Sequence, residues 1–290
     1  MNKPLLYLSL MGALMMGASA IAAPLNVELV MSGDRSWKGQ LVGRDGDWIE
    51  FTTGRTAKPI RIGANTIHEL RFEVKIDEEK LQEWMNDREF DRIISVLTRT
   101  MKPFHEYSDV PSNLSKYNAL LMELYYRTQQ FEESLAISSR LAEDARDPAL
   151  QEKSRIYQAL TLIDAGRSDD AEALLSKYGW DQDISDDAAP EKLYITAKLM
   201  SLKKEYNQAM ELVAKVIAFN SQDPQWMQPA ELLCAEVYTE LAMYESAEEV
   251  IRQILLLYKN TPEYDQAQEL KLRIEQLRAE QELNENFESE

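Results

Sequence analysis

The sequence predicts a mostly helical protein in which a small five-stranded β barrel precedes an α-helical solenoid. Three observations lead to this fold class. Apolar residues alternate at period two before residue 77, they recur at period 3.6 after it, and one short stretch returns about every 38 residues. Each part is justified below in chain order.

Residues 1–22 have the pattern of a secretory signal peptide. Lys3 supplies a positive charge, residues 5–16 are almost wholly apolar, and small residues offer A-x-A cleavage sites that end at Ala20 or Ala22. The alternative is an uncleaved anchor, because residues 5–23 just reach spanning length. No later apolar run is long enough to cross a bilayer, so we expect no stable membrane insertion after cleavage.

Charge and cysteine content restrict the partners. Residues 24–76 are nearly neutral, whereas residues 77–290 contain 23 Lys/Arg and 43 Asp/Glu, a net charge of −20. Such an excess repels nucleic acid and anionic lipid, so nucleic acid is not an expected partner. Cys234 is the only cysteine, so no intramolecular disulfide can form. We expect it to be a buried small residue in a helix.

Residues 23–76 read as about five short strands with tight turns, the pattern of a small closed barrel. The Asp45-Gly46 pair predicts a hairpin turn. Residues 39–45 and the later strand at 67–74 resemble SH3-like and Sm-like barrels. Arg61-Ile-Gly63 stands where the Sm pattern has Arg-Gly, which speaks against an RNA site. The barrel either caps the helical part or docks a protein, or it recognises a cell-wall polymer or glycan through Trp37 and Trp48.

From Asp77 onward, a repeated unit organises the chain. Only Gly166 and Gly179 interrupt a run of good helix formers. A small residue recurs at steps of 37, 38 and 38. An aromatic residue or a serine stands three positions before it. Twelve positions before it stands a residue that is alanine in three of the four copies. The small residues are Ser134, Ala171, Ala209 and Ala247; those three before them are Phe131, Ser168, Tyr206 and Tyr244; those twelve before them are Met122, Ala159, Ala197 and Ala235.

Packing explains this recurrence. Small residues on facing positions let two antiparallel helices approach closely. The aromatic residue three positions before the small residue fills the turn between the helices. The pairs Asp147-Pro148, Asp223-Pro224 and Thr261-Pro262 supply the N-cap and first-turn residues that start further helices. The sequence therefore predicts stacked helical hairpins. In the first hairpin, Phe90 is the counterpart of the aromatic residue that stands three positions before the small residue.

These residues resemble the tetratricopeptide repeat family, whose pattern marks the turn and second helix with a glycine, an aromatic and an alanine. Gly166 with Ala171, Tyr206 with Ala209, and Tyr244 with Ala247 carry the likeness. It covers about residues 77–262, with a further helix to 281 and a disordered acidic tail at 282–290. The resemblance implies a right-handed solenoid of about five helix pairs plus a capping helix. Within the family it is similar to exported bacterial envelope proteins, which implies a Gram-negative-type periplasm.

In that family, the first helices of the pairs line a groove that binds peptides. The resemblance implies that ten residues face it: Lys116, Glu123, Tyr126, Arg127, Lys153, Asp164, Tyr194, Lys198, Glu236 and Glu240. The Lys and Asn placements of the family's carboxylate clamp are missing from this set. Tyr126 and Tyr194 are the expected anchors, because tyrosine concentrates binding energy at low entropic cost. The alternative is that both tyrosines pack inside the solenoid.

No catalytic constellation is recognisable. His68 and His105 lack metal-ligand spacing, and the acidic loop at 181–187 departs from a calcium loop at its sixth position. We expect no enzyme activity, cofactor or metal. The expected function is a non-enzymatic exported scaffold that binds another envelope protein or peptide, or a second copy of itself, since solenoid ends tend to stack. The alternative is a cell-wall or glycan-binding module that uses the barrel.

Overall fold

The computed structural model describes residues 24–288, except residues 34, 55–57, 183–184, 186–187 and 220–222. The chain divides into two compact units, Met1–Ile76 and Asp77–Glu290. The described residues are mostly helical, with one five-stranded antiparallel sheet in the first unit, as the sequence predicts at this level. The predicted signal peptide lies outside the described residues.

The sheet is antiparallel throughout, and its strands follow the order β4-β3-β2-β1-β5. Gly46, at a φ of 56°, occupies the two-residue turn between β2 and β3, where the Asp45-Gly46 pair predicts it. Gly39 is required for another reason, because a Cβ there would lie 2.2 Å from the carbonyl oxygen of Thr52. The strands are β1 (Leu25–Met31), β2 (Ser36–Asp45), β3 (Trp48–Thr52), β4 (Ile60–Gly63) and β5 (Ile67–Phe72).

One face of this sheet is apolar and buried. Leu29, Ile49, Phe51 and Leu70 have no exposed surface, and Leu41 is 1% exposed. Cross-strand pairing places Leu41 beside Phe51 and Leu29 beside Leu70, so the alternation at period two collects these side chains on one side. This packing is the core of the first unit.

The second unit contains eleven α-helices among the described residues. The last one continues to Glu288, through most of the segment for which the sequence predicts a disordered tail. The helices are α1 (Glu78–Asn86), α2 (Phe90–Met101), α3 (Ser115–Arg127), α4 (Phe131–Asp144), α5 (Pro148–Asp164), α6 (Ser168–Tyr178), α7 (Pro190–Leu202), α8 (Tyr206–Phe219), α9 (Pro224–Glu240), α10 (Tyr244–Leu257) and α11 (Pro262–Glu288).

The turn between the two helices of a pair has the same backbone in all five pairs from α1–α2 to α9–α10. The residue two positions before the second helix adopts a left-handed conformation, with φ between 55° and 72°. Its N–H and that of the next residue donate back into the first helix, in a Schellman-type C-cap. Only one of the five is glycine: they are Arg88, Gln129, Gly166, Lys204 and Ala242.

The small residues that define the repeat are buried where the two helices of a pair meet. Ser134, Ala171, Ala209 and Ala247 have no exposed surface. The residues twelve before them are equally buried, and the Ser134 hydroxyl donates to the carbonyl oxygen of Met122 at 3.2 Å. The predicted close approach of the paired helices is therefore present. We call these eight positions (134, 171, 209 and 247, with 122, 159, 197 and 235) the seam.

The predicted helix starts are also present. The carboxylates of Asp147 and Asp223 each accept from a backbone N–H two residues on, both at 3.0 Å, and Thr261 accepts from the N–H of Tyr264 at 3.3 Å. These caps satisfy amide groups that the first turn of a helix leaves unpaired. Within the described ranges, no helix has both the length and the apolar composition needed to span a membrane.

Candidate functional site

All ten predicted groove residues lie on odd-numbered helices, and from α3 onward each odd helix packs on the next odd helix. With four further residues, most of them form hydrogen bonds and ion pairs in series from α1 to α7 and again from α9 to α11. We call this series the polar strip; it consists of Glu78, Lys116, Tyr117, Glu123, Tyr126, Arg127, Lys153, Tyr157, Asp164, Tyr194, Lys198, Glu236, Glu240 and Arg273.

The strip begins with Glu78 on α1. Its carboxylate accepts from Lys116 Nζ at 2.5 Å and from Tyr117 Oη at 2.7 Å, both on α3. The hydrogen bond from Lys116 is the main cause that lowers the pKa of Glu78 below its ordinary value. Because the carboxylate is open to solvent, this pairing orients Lys116 and adds little stability.

Glu123 forms the second centre. It accepts from Arg127 on its own helix at 2.8 Å and from Lys153 on α5 at 3.0 Å. The ammonium of Lys153 also lies 5.8 Å from the ring centre of Tyr157. Burial is the main cause that raises the pKa of the Tyr157 hydroxyl, with a further contribution from the charge of Glu123. The carboxylate is only 16% exposed, so α3 and α5 hold it in a fixed position.

Asp164, at the end of α5, joins three helices. Its Oδ2 accepts from Tyr126 Oη on α3 at 2.6 Å, and Lys198 Nζ on α7 lies 2.8 Å from Oδ1 and 3.0 Å from Oδ2. The side chains of Lys198 and Asp164 are 21% and 25% exposed. Charge-assisted hydrogen bonds in such partly desolvated surroundings are stronger than those at an open surface.

The ionisation states at this centre follow from its surroundings. Burial raises the pKa of Tyr126 well above its ordinary value despite the nearby ammonium of Lys198. Burial alone would lower the pKa of Lys198, but Tyr194, Tyr126, Asp164 and Glu236 together hold it well above its ordinary value. At neutral pH the centre is therefore a neutral phenol and an ammonium that share one carboxylate.

The two predicted anchor tyrosines differ in exposure. Tyr126 is half-buried, with its ring 5.5 Å from that of Tyr157 in an edge-to-face arrangement. Tyr194 is only 6% exposed, and its ring packs 5.8 Å from that of Trp226. Burial raises the pKa of Tyr194 to about 12. Tyr194 thus packs largely inside the helical unit, while Tyr126 contributes to the accessible part of the strip.

The strip ends on α9 and α11. Glu240 accepts from Arg273 on α11 at 2.7 Å and from Tyr206 Oη at 3.3 Å. Glu236, one turn earlier on α9, differs from every other carboxylate of the strip. It is half-buried, and it neither accepts a hydrogen bond nor forms an ion pair within the described part of the chain. Burial raises its pKa, opposed by the charges of Lys198 and Arg273.

Sequence reasoning missed four members of the strip, namely Glu78, Tyr117, Tyr157 and Arg273. A usable signal was present. Residues paired between neighbouring odd helices are separated by 38, 30, 38, 34 and 33 positions, which is about one repeat. A search for opposite charges one repeat apart would have found Glu78 and Arg273. The aromatic ring of Tyr157 carries no such signal.

In the first unit, the sheet places Trp37 and Trp48 on opposite faces. Trp37 lies on the same face as Leu41, whereas Trp48 points away from the face that carries Ile49 and Phe51. Trp48 is 50% exposed, and the guanidinium of Arg61 lies 5.7 Å from its ring. The two tryptophans therefore do not form one aromatic platform.

The remaining reactive groups show no assembled chemistry in the described ranges. Burial raises the pKa of the Cys234 thiol to about 11, so it is protonated at neutral pH. No cluster of three or more metal-ligating side chains occurs among those residues. Most of the acidic loop lies outside them, since residues 183, 184, 186 and 187 are not described.

No protein-family model matches this chain, and no curated protein is significantly similar to it.

Proposed function

We propose that this protein is a non-enzymatic exported scaffold whose odd-numbered helices bind an extended segment of another envelope protein. The polar strip carries the proposal. It presents side chains from successive helices in one row, and most of its charged groups are held by partners on a neighbouring helix. Side chains that are already ordered lose less entropy when a partner binds.

The finer architecture belongs to the same proposal. Five helix pairs share one turn geometry, and from α3 onward the pairs are joined through their first helices. Both observations favour a right-handed solenoid of the tetratricopeptide repeat type with α11 as the capping helix. The strand order, with β1 paired to both β2 and β5, favours a small SH3-like or Sm-like barrel in the first unit.

One contact favours a strongly curved row. Arg88, in the turn between α1 and α2, donates to Asp265 on α11 at 2.7 Å. The row must bend far enough for its first pair to reach its last helix. The first helices would then enclose a narrow groove, which suits an extended peptide segment better than a folded domain.

Site-specific photocrosslinking in cells that naturally produce the protein tests this proposal. A benzophenone amino acid would replace exposed strip residues, Arg127 on α3 and Glu240 on α9. Matched controls are Glu133 on α4 and Gln253 on α10, exposed residues of the even helices. We expect both strip positions to capture the same protein and both controls to capture none. Equal capture from the even helices, or no capture from the strip, would contradict the proposal.

Export is a separate part of the proposal, supported by the pattern of residues 1–22. Intact-mass measurement of the protein from its native host would show a chain that starts after Ala20 or Ala22, released by osmotic shock. A full-length chain that stays with the membrane would instead support the uncleaved anchor.

A second candidate is a cell-wall or glycan-binding role for the first unit. The exposed ring of Trp48, beside the ion pair of Arg61 with Asp45 at 2.5 Å, combines an apolar face with hydrogen-bonding groups. Sedimentation of the full chain with purified cell wall would test it. Trp48→Ala should abolish sedimentation and Trp37→Ala should not; equal behaviour of the two variants would remove this candidate.

A further inference from the structure

We propose that Glu236 is the point of the strip that receives a cationic side chain, lysine or arginine, from the docked partner. This inference rests on the proposed function and names the chemistry of the partner. It starts from a difference among the carboxylates of the strip. Glu78, Glu123, Asp164 and Glu240 each accept from at least one cation of the chain, whereas Glu236 has no such partner within the described residues.

The two cations whose charges act on Glu236 are paired elsewhere, Lys198 with Asp164 and Arg273 with Glu240. Lys198 lies close enough to Glu236 for their charges to interact, but its ammonium is bound to both oxygens of Asp164. Tyr126 fixes that carboxylate from the other side at 2.6 Å. With its ammonium bound to Asp164, Lys198 forms no ion pair with Glu236 within the described residues. The native network thus keeps Glu236 without a cation.

Such an arrangement is costly unless it is used. A half-buried carboxylate without a hydrogen-bond donor loses hydration, and the charges of Lys198 and Arg273 offset only part of that loss. The ring pair of Tyr194 and Trp226 is more than nine-tenths buried, and Tyr194 is close enough to Glu236 for the carboxylate charge to act on it, so Glu236 is poorly hydrated on this side. An incoming ammonium or guanidinium would supply the missing donor and would recover that loss.

Charge complementarity favours a cation over other ligands. Around Glu236 the strip also contains Asp164 and Glu240, against the cations Lys198 and Arg273, so this end is negative overall. The whole chain has a net charge of −18. A basic segment would be attracted from solution, and an acidic one would be repelled. The occupant we infer is therefore an extended basic segment.

Calorimetric titration of the full chain with matched peptides tests this inference. The probes are short N-acetylated, C-amidated glycine-serine peptides with central arginines, and the same peptides with citrulline in place of each arginine. Citrulline keeps the shape of arginine and removes its charge. We expect the arginine peptide to bind, more tightly at low salt, and the citrulline peptide not to bind. Equal binding of the two, or no binding of the arginine peptide, would overturn the inference.

A matched pair of variants assigns the binding to one carboxylate. Glu236→Gln should lower the affinity for the arginine peptide at least about tenfold. Glu275→Gln should leave it unchanged, because Glu275 is exposed on α11, about 200° around the helix from Arg273. Circular dichroism confirms that both variants fold. Equal weakening by both, or no weakening by either, would place the cation elsewhere.

The crosslinking experiment separates this inference from the proposed function. If both strip positions capture one protein but Glu236→Gln does not change the affinity for the arginine peptide, the proposed scaffold function is supported and the inference about Glu236 is wrong. If neither experiment succeeds, both proposals fall.

Discussion

The seam and the polar strip share helices α3, α5, α7 and α9 but follow opposite rules. The seam repeats: Ala159, Ala197 and Ala235 are all fully buried, and Ala171, Ala209 and Ala247 are as well. The strip changes from one helix to the next. Asp164 binds two partners from two helices, while Glu236 binds none among the described residues.

This difference separates architecture from recognition. Close approach of two helices requires a small side chain on at least one of the facing positions, so alanine or serine recurs there in the four pairs from α3–α4 to α9–α10. A partner presents different groups along its length, so the side chains that contact it differ from helix to helix and the strip does not repeat. Five substitutions test this difference, and they follow in order of decreasing expected effect.

Overpacking of the seam should have the largest effect. Ala209→Leu forces a larger side chain into a site without exposed surface, which should lower the free energy of unfolding by about 3 kcal/mol. Urea unfolding followed by the helical circular dichroism signal measures it. The control Ala214→Leu, on the exposed face of the same helix, should stay within about 0.5 kcal/mol. Equal losses would mean that the seam is not the rigid part.

Loss of the ion pair between Asp164 and Lys198 should have the second largest effect. Asp164→Asn leaves the partly buried ammonium of Lys198 without its carboxylate, so the free energy of unfolding should fall by about 2 kcal/mol. Glu172→Gln, which breaks the more exposed pair with Lys203, is the control and should cost well under about 1 kcal/mol. If the two losses are alike, the Asp164 centre is only a surface ion pair.

The repeated turn predicts two smaller effects of opposite sign. Gly166→Ala puts a Cβ on a residue with a φ of 72° and should cost about 1 kcal/mol of stability. Lys204→Gly removes the same strain from the equivalent turn and should gain up to about 1 kcal/mol. Thermal unfolding of both variants tests whether the turns are energetically equivalent; a loss in both would show that they are not.

Substitution of Glu236 should change the free energy of unfolding least, and the change should be a gain. The pKa of Glu236 is raised in the folded state, so the folded protein binds a proton more tightly than the unfolded chain does. The resulting cost is therefore present at neutral pH and disappears as the pH falls below about 4. Glu236→Gln should raise the free energy of unfolding by roughly 0.5 kcal/mol at pH 7.

The groups that face Glu236 determine this pH dependence. They are Tyr194 and Lys198 on α7, Asp164 on α5, Arg273 on α11 and Glu240 on its own helix. Unfolding of the Glu236→Gln variant at pH 7 and pH 4 measures the gain and its loss. A variant less stable than the native protein at pH 7 would show that Glu236 has a stabilising partner.

Much of the fold could be predicted because it rests on local rules. The period-two alternation located the five strands, and the Asp45-Gly46 pair located a hairpin turn. The Asp147 and Asp223 caps marked helix starts. The first pair was harder, since Phe90 is followed by Ile93 rather than by a small residue. Its turn at Arg88 nevertheless has the backbone of the others. The ten predicted groove positions all lie on odd helices, yet their contacts with one another were not foreseen.

Patterns of residues close along the chain were enough to predict the small residues of the seam, the Asp45-Gly46 turn and the charge distribution. Only the tertiary structure decided that Tyr194 is buried against Trp226, that Lys198 is bound to Asp164, and that Arg88 meets Asp265 across the helical unit. These contacts depend on how far each helix rotates and bends against the next. Small angles add up over several helices, and no short stretch of sequence records their sum.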